Sequence, residues 1–231
     1  MAVESDSMLQ FSGKGPLFPL PGVVLFPHAT MPLHIFEPRY RQMTADVLEG
    51  ERLIAMSLLV PGGTSPNGLP LIHPIVGLGR IVAHEKLEDG RYMLVLRGVS
   101  RARVIREIPT EQPYRIGEFE LCPDVIPPEP DFDRQQRAEE ITSLFCRLFP
   151  GVEFQRLIQQ AMSVDLPLGN ICDVIASALP IEPMLAQLFL DELNSDLRSQ
   201  MLWQLLKQMD RPEPAKPIVE ARGFPPKFSS N

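Results

Sequence analysis

Residues 16–43, PLFPLPGVVLFPHATMPLHIFEPRYRQM, contain the features that decide the fold of this chain. Residues 23–26 are apolar and follow a proline–glycine pair, which predicts a short strand. Residues 31–36 are apolar on both faces, as in a buried strand. Pro38 suits the first position of a helix, and apolar residues recur at helical spacing over 40–48. The stretch therefore predicts two strands followed by one helix.

Short strands continue from this stretch to residue 121. Residues 61–74 hold four prolines and three glycines, which predicts a long loop. Asp89-Gly90 favours a tight hairpin, and Gly98 is expected to end a strand. The further predicted strands are 52–59, 75–87, 92–96, 99–108 and 114–121. Six or seven short strands with one helix predict a closed or nearly closed β domain over residues 15–122.

A proline-rich segment separates this β domain from a helical region. Residues 123–131 hold four prolines in nine positions, which predicts a linker. Beyond it the apolar spacing changes from two to 3.6, which predicts a helical bundle over residues 132–210. Its predicted helices are 132–149, 154–162, 171–179, 185–193 and 197–206, with Asn194 as a cap. Residues 1–14 and 211–231 are predicted to be flexible tails.

Charge and cysteine content exclude several classes of protein. The 22 basic and 29 acidic residues give a net charge of −7, which disfavours general binding to nucleic acid. The three cysteines form no CxxC motif, so neither a disulfide framework nor a zinc site is expected. No apolar run approaches the roughly 18 residues of a membrane span, and the start lacks a signal-peptide pattern. A cytoplasmic protein without a membrane segment is expected.

Three blocks of the β domain resemble a known family. They are residues 16–43, DGRYMLVLRGVSRARVI (89–105) and YRIGEFEL (114–121). These blocks resemble the N-terminal substrate-binding domain of the Lon protease, and most closely the small bacterial proteins that consist of that domain alone. LGNICDVIASALPIEPMLAQLFLDELNSDLRSQMLWQLL (168–206) is similar to the helical extension of that domain. The resemblance covers residues 16–208 and implies an α+β fold, a PUA-like β pseudo-barrel followed by a C-terminal helical bundle.

Lon proteases combine an ATPase with a serine–lysine protease, and neither set of motifs is found in this sequence. No GxxxxGK[ST] occurs, and the glycine-rich residues 61–64 lack the lysine that would contact phosphates. Of the five lysines, three fall in predicted tails and two at positions expected to be exposed, so no desolvated general base is predicted. The four histidines form neither HxH nor HExxH. We therefore expect no catalytic residue, no metal site and no cofactor.

Two groups of side chains are candidates for binding a partner. The arginines of one predicted strand region either form a face that contacts peptide or RNA, or lie on an outward strand face and pair with neighbouring glutamates; they are Arg97, Arg101, Arg103 and Arg106. The expected glutamate partners are Glu107, Glu118 and Glu120. Arg39 and Tyr40 either line a recognition groove or fix the corner between strand and helix, with Glu37 or a neighbouring carboxylate paired to Arg39.

The resemblance, together with the missing catalytic motifs and the two-part organisation, implies a non-catalytic protein-binding module. Its expected partner is an unfolded or partner polypeptide, bound in a cleft between barrel and helices. An RNA-binding PUA-like domain is the alternative, and an unrecognised hydrolase a third. The sequence assigns no oligomeric state.

Overall fold

The computed structural model describes residues 11–153, 156, 158 and 166–211, which form a β domain followed by helices. The strands are β1 (Lys14–Leu20), β2 (Thr30–Ile35), β3 (Leu53–Thr64), β4 (Pro70–Ile72), β5 (Ile75–Lys86), β6 (Tyr92–Ile108) and β7 (Arg115–Leu121). The helices of eight or more described residues are α1 (Pro38–Leu48), α2 (Arg134–Leu148), α3 (Leu168–Ala178), α4 (Pro183–Asp191) and α5 (Ser195–Met209). Pro38 begins α1 as predicted.

Five strands close into a barrel. Their order is β1-β7-β6-β5-β3, and β1 pairs back with β3, so that the first and last strands meet. The β1–β3 pair is parallel and the other pairs are antiparallel. β2 lies beside the first half of β6, and β4 lies beside β3. The predicted α+β architecture, a β barrel followed by helices, is confirmed.

The predicted strand at residues 23–26 is wrong, because this segment lies against β5 and β6 without pairing to them as a strand. The strand that precedes β2 is instead β1, seven residues that include Pro16 and Pro19. A Cβ atom added to Gly77 would lie 1.9 Å from the carbonyl oxygen of Leu25, and one added to Gly98 would lie 1.9 Å from that of Phe26. Glycine therefore lets the backbone of 23–26 approach β5 and β6 closely.

Two further differences concern the length of strands. Gly98 does not interrupt β6, which runs for 17 residues because Val99 is accommodated as an irregularity opposite β5. The predicted loop 61–74 contains the end of β3 and all of β4, which form an antiparallel arm with a shifted register. The glycines and prolines of residues 61–74 therefore lie at irregular positions within paired strands, and they do not end the pairing.

The helices pack on one another and on the barrel. Asp133 caps α2 and Asn194 caps α5, each through two backbone N–H groups, the latter as predicted. The buried helical residues form one core with Phe26, Ile75 and Cys122 of the β domain. Most of the predicted helix 154–162 lies outside the described residues. None of the helices in the described ranges is long and apolar enough to cross a membrane.

The predicted linker 123–131 is fixed against the helices rather than being a free spacer. The Val125 N–H donates to the carbonyl oxygen of Leu193 at 2.8 Å, and the Ser195 N–H donates to the carbonyl oxygen of Val125 at 3.0 Å. Of the predicted tails, residues 1–10 and 212–231 lie outside the described residues. Gly13, however, accepts a hydrogen bond from Phe119 in β7, so the ordered chain starts before residue 15.

Candidate functional site

Arg101 is the one predicted partner-binding arginine that the structure buries almost completely. Its side chain points away from the barrel core, as the alternation of β6 predicted, but the helices cover that side and leave it 2% exposed. Its Nε donates to the carbonyl oxygen of Leu190 at 2.9 Å. Nη1 and Nη2 donate to the two carboxylate oxygens of Asp173 at 2.8 and 2.5 Å. The expectation that Arg101 lies on an exposed face is therefore wrong.

A second arginine completes this buried ionic cluster, which consists of Arg101, Arg198, Asp124 and Asp173. Arg198 of α5 is fully buried; its Nη2 donates to Asp124 and its Nε lies 3.1 Å from Asp173. Asp124 also accepts from Arg101 at 3.3 Å. Two positive and two negative side chains thus join β6, the segment after β7, α3 and α5.

The electrostatics of the ionic cluster keep Arg101 charged. Burial alone would lower the pKa of Arg101, but the hydrogen bonds and charges of Asp173 and Asp124 raise it overall. Burial also raises the pKa of the neighbouring Cys172 thiol to about 12, so this thiol stays protonated. Every charge in the ionic cluster has an opposite charge within ion-pair distance, as buried charges require.

Sequence reasoning missed this cluster, although Asp173 carried a signal for it. Asp173 interrupts the apolar run ICDVIASA of α3, and a carboxylate in such a helix needs a buried partner. The expected cleft between barrel and helices is largely filled by the ionic cluster and the shared core. Within the described residues a depression of about 190 Å³ lies between the barrel and the helices, lined by Ser100, Cys122 and Asn170 among others.

Arg39 and Tyr40 fix the corner between β2 and α1, the second of the two interpretations above. Arg39 pairs with Glu37, with Nη2 2.9 Å from Oε2, and its guanidinium lies 4.5 Å from the centre of the Tyr40 ring. The Tyr40 ring packs on Phe18 with 4.4 Å between centroids and is buried in the barrel core. Burial raises the pKa of the Tyr40 hydroxyl. Tyr40 is therefore a core residue, whereas Arg39 stays half exposed.

The remaining arginines of β6 are dispersed. Arg97 is exposed and lies between Thr30 of β2 and Arg80 of β5. Arg103 is exposed and lies opposite Glu120 of β7. Arg106 pairs with Glu118 at 2.6 Å, which confirms one of the expected pairs with a glutamate. The arginines therefore form no continuous cationic surface.

An exposed apolar surface lies on the other half of β6, where β2 pairs with it. His34 and Met93 are opposite each other in the ladder, as are Pro32 and Val95, so all four side chains share one face. The Phe36 ring lies 5.9 Å from the His34 ring and is 60% exposed, while Met93 is 42% exposed. We call these five residues, Pro32, His34, Phe36, Met93 and Val95, the outer β2–β6 face.

The lysines and the possible metal ligands of the described residues lie apart from one another or on the surface. Lys14, Lys86 and Lys207 are exposed, and the other two lysines lie outside the described ranges. Nowhere in the described ranges do three His, Cys, Asp or Glu side chains come together as metal ligands. The glycine-rich residues 61–64 lie on the β3 arm and do not lead into a helix.

Comparison with known proteins agrees with this architecture. A family model described as the ATP-dependent protease La (LON) substrate-binding domain matches residues 14–208. The Lon protease of Desulfosudis oleivorans is 28% identical over 187 residues, which are 79% of this chain and 22% of that protein. The Lon protease of Heliobacterium modesticaldum is 24% identical over 208 residues, 88% of this chain and 25% of that protein. The chain thus spans about a quarter of the length of these relatives.

Two solved structures have the same fold. The Lon N-terminal domain protein from Xanthomonas campestris has a TM-score of 0.60 and 25% identity, covering 83% of this chain and 97% of that one. The N-terminal domain of the Mycobacterium avium complex Lon protease has a TM-score of 0.65 at 13% identity, covering 84% of this chain and 98% of that one. With the family match extending from β1 into α5, this chain belongs to the Lon substrate-binding domain family.

Proposed function

We propose that this chain is a non-catalytic module that binds unfolded polypeptide through the outer β2–β6 face. The observation that carries the proposal is the exposure of Phe36 and Met93, two large apolar side chains on one face of this chain. The chain belongs to a family of substrate-binding domains, which supports polypeptide as the partner. Exposed apolar patches of this kind mark sites of interaction with proteins. Methionine and phenylalanine supply apolar contacts that adapt to varied sequences.

Charged side chains flank this face and would set the orientation of the polypeptide. Arg39 follows Phe36 at one end, and Arg97 lies opposite Thr30 at the other. Both can donate to backbone carbonyl oxygens or to carboxylates. Arg103 lies six positions beyond Arg97 along β6, farther from the face, and Tyr40 and Arg101 are buried. We therefore assign partner contacts to Arg39 and Arg97 and structural roles to Tyr40 and Arg101.

Nucleic acid is a poorer fit to the same surface. The net charge is −7, Arg101 is buried, and Arg106 is neutralised by Glu118. A surface that binds phosphate backbones needs a continuous set of cationic groups. The dispersed arginines of β6 do not provide one, so polypeptide remains the proposed partner.

Binding to a labelled unfolded protein tests the proposal. We expect reduced, carboxymethylated α-lactalbumin to bind with an affinity of roughly micromolar, as fluorescence anisotropy would report. Phe36→Ser with Met93→Ser should weaken binding at least about tenfold, because burying each side chain contributes about 1.5–3 kcal/mol. Met184→Ser with Leu188→Ser, which removes two similarly exposed residues from α4, is the matched control and should bind normally.

Two results would contradict the proposed function. One is an unfolded probe that does not bind, or that binds both double variants equally well. The other is cleavage of the probe or hydrolysis of ATP by the purified wild-type protein, since a binding module should do neither.

A further inference from the structure

The free edge of β2 is a feature that the apolar side chains do not explain. Within the described residues β2 pairs with β6 alone, so one of its two edges has no neighbouring strand. Thr30, Pro32 and His34 alternate with more buried residues along β2 and are exposed. An open strand edge presents backbone groups that another extended chain can pair with.

The ladder register shows which backbone groups point to this free edge. The Gly98 N–H donates to the carbonyl oxygen of Ala29, so Ala29 belongs to the set of residues that bond to β6. Antiparallel ladders alternate, so Met31, Leu33 and Ile35 belong to the same set. Thr30, Pro32 and His34 therefore direct their backbone groups away from β6. Pro32 has no N–H, and at an outward position this costs no hydrogen bond to β6.

The free edge of β2 offers two donors and three acceptors at strand spacing. The donors are the N–H groups of Thr30 and His34, and the acceptors are the carbonyl oxygens of Thr30, Pro32 and His34. Only an extended polypeptide backbone supplies the complementary series of groups at this spacing.

The absence of charged residues in and around β2 indicates which polypeptide segments would pair with its free edge. No Asp, Glu, Lys or Arg occurs between Lys14 and Glu37, a stretch that includes all of β2. Edge strands of soluble proteins usually carry charged residues, lysine above all, that block pairing with other chains. β2 has only Pro32 as such a block. An uncharged edge beside an apolar face matches a segment that is itself uncharged and apolar.

We propose that the free edge of β2 binds an extended, uncharged segment of unfolded polypeptide by adding it to the sheet as a further strand. The added strand places alternate side chains on the outer β2–β6 face, while its backbone bonds to Thr30 and His34. This inference rests on the proposed function and specifies its geometry: recognition of the backbone explains how one surface accepts many sequences.

Proline substitution separates backbone pairing from side-chain contact. His34→Pro removes an outward N–H group that β6 does not use, and His34→Ala removes only the side chain. The probe is a fluorescein-labelled 20-residue peptide whose central ten residues are Val, Leu, Phe, Ser and Thr. We expect His34→Pro to bind it about fivefold more weakly than His34→Ala, the usual effect of one hydrogen bond. Equal affinities of these two variants, both folded by circular dichroism, would overturn the inference.

Two measurements on the wild-type protein do not depend on a variant that folds. The peptide should slow hydrogen exchange of the Thr30 and His34 amides, and N-methylation of alternate residues in the peptide should abolish this protection. Slow exchange of both amides before peptide is added would place another strand at this edge and overturn the inference. A wild-type dimer that dissociates in the His34→Pro variant would also overturn the inference, because the free edge of β2 would then bind a second copy of the chain.

The outcomes distinguish this inference from the function on which it rests. If wild-type protein binds neither the unfolded probe nor the peptide, the proposed function fails. If it binds both, while the N-methylated peptide binds equally well and the Thr30 and His34 amides stay unprotected, only strand addition fails.

Discussion

Arg101 of β6 and Asp173 of α3 form a two-point ion pair, with nitrogen–oxygen distances of 2.8 and 2.5 Å, although 72 positions separate them in the chain. Both are almost fully buried, and Asp124 and Arg198 extend the pair into the ionic cluster. The barrel and the helices are therefore joined by charged groups of which Arg101, Asp173 and Arg198 are almost fully buried and Asp124 is partly buried. Removing one of these side chains while the parts stay packed leaves its partner buried without an opposite charge.

Replacing Arg101 by Met should destabilise the protein by about 3–5 kcal/mol, because Asp173 then loses its two-point partner while still buried. The free energy of unfolding follows from urea denaturation, monitored by circular dichroism. Arg103→Met, two positions along the same strand and exposed, is the matched control and should change stability by less than about 0.5 kcal/mol.

The double variant Arg101→Met/Asp173→Leu sharpens this first prediction. Because it removes both partners, it should be less destabilised than the sum of the two single variants, with a coupling of about 1–3 kcal/mol. Additive effects would show that Arg101 and Asp173 do not interact in the folded protein.

Gly77→Ala should destabilise the barrel by roughly 1–3 kcal/mol or more, because its Cβ would lie 1.9 Å from the carbonyl oxygen of Leu25. The contact is with backbone, so no side-chain rotation relieves it. Gly50→Ala is the matched control: its Cβ would meet nothing closer than 3.9 Å. Thermal unfolding compares the two variants, and an equal effect on both melting temperatures would contradict the packing of residues 23–26 on β5.

Much of this fold could be predicted from the sequence because it is local. The helix at Pro38, the Asn194 cap and the change of period after residue 131 all depend on neighbouring residues. The place of residues 23–26 could not be predicted, because an apolar segment that lies on a sheet has the same composition as one that pairs within it. Gly77 and Gly98 reveal the difference only once their distance to this segment is known.

In the candidate site, too, local contacts could be predicted from the sequence and long-range contacts could not. The pairing of Glu37 with Arg39 spans two positions, so the sequence could name Glu37 as one possible partner of Arg39. The burial of Arg101 depends on helices 70 to 100 positions further along the chain, and alternation along β6 carries no record of what covers its outer side. The outer β2–β6 face was missed because residues 31–36 are apolar on both sides, which the sequence alone assigns to a buried strand.

The three cysteines should differ in reactivity toward an aromatic disulfide reagent. Cys122 and Cys172 are buried, and burial raises the pKa of both thiols, whereas Cys146 is partly exposed. Since the thiolate is the reacting species, one equivalent should react rapidly with native protein and two more only after unfolding in urea. Cys146→Ser should eliminate the rapid phase; a rapid phase that persists in this variant would contradict the described packing.

The free energy of unfolding should fall at alkaline pH because of the Cys172 thiol. Burial raises the pKa of its thiol to about 12 in the folded protein, whereas a thiol in the unfolded chain titrates near ~8.5. Between these values the unfolded chain releases a proton that the folded protein keeps, so rising pH favours unfolding. Below pH ~8.5 both states hold the proton, and stability is unaffected.

Comparison with Cys172→Ala isolates this effect from other groups that titrate in the same range. The stability difference between wild type and variant, from urea unfolding, should be constant below pH ~8 and should shift against the wild type by roughly 3 kcal/mol by pH ~10.5. The alanine variant has no proton to release at this position, so other titrating groups affect both proteins equally. A difference that stays constant from pH 7 to 10.5 would mean that solvent reaches the Cys172 thiol in the folded protein.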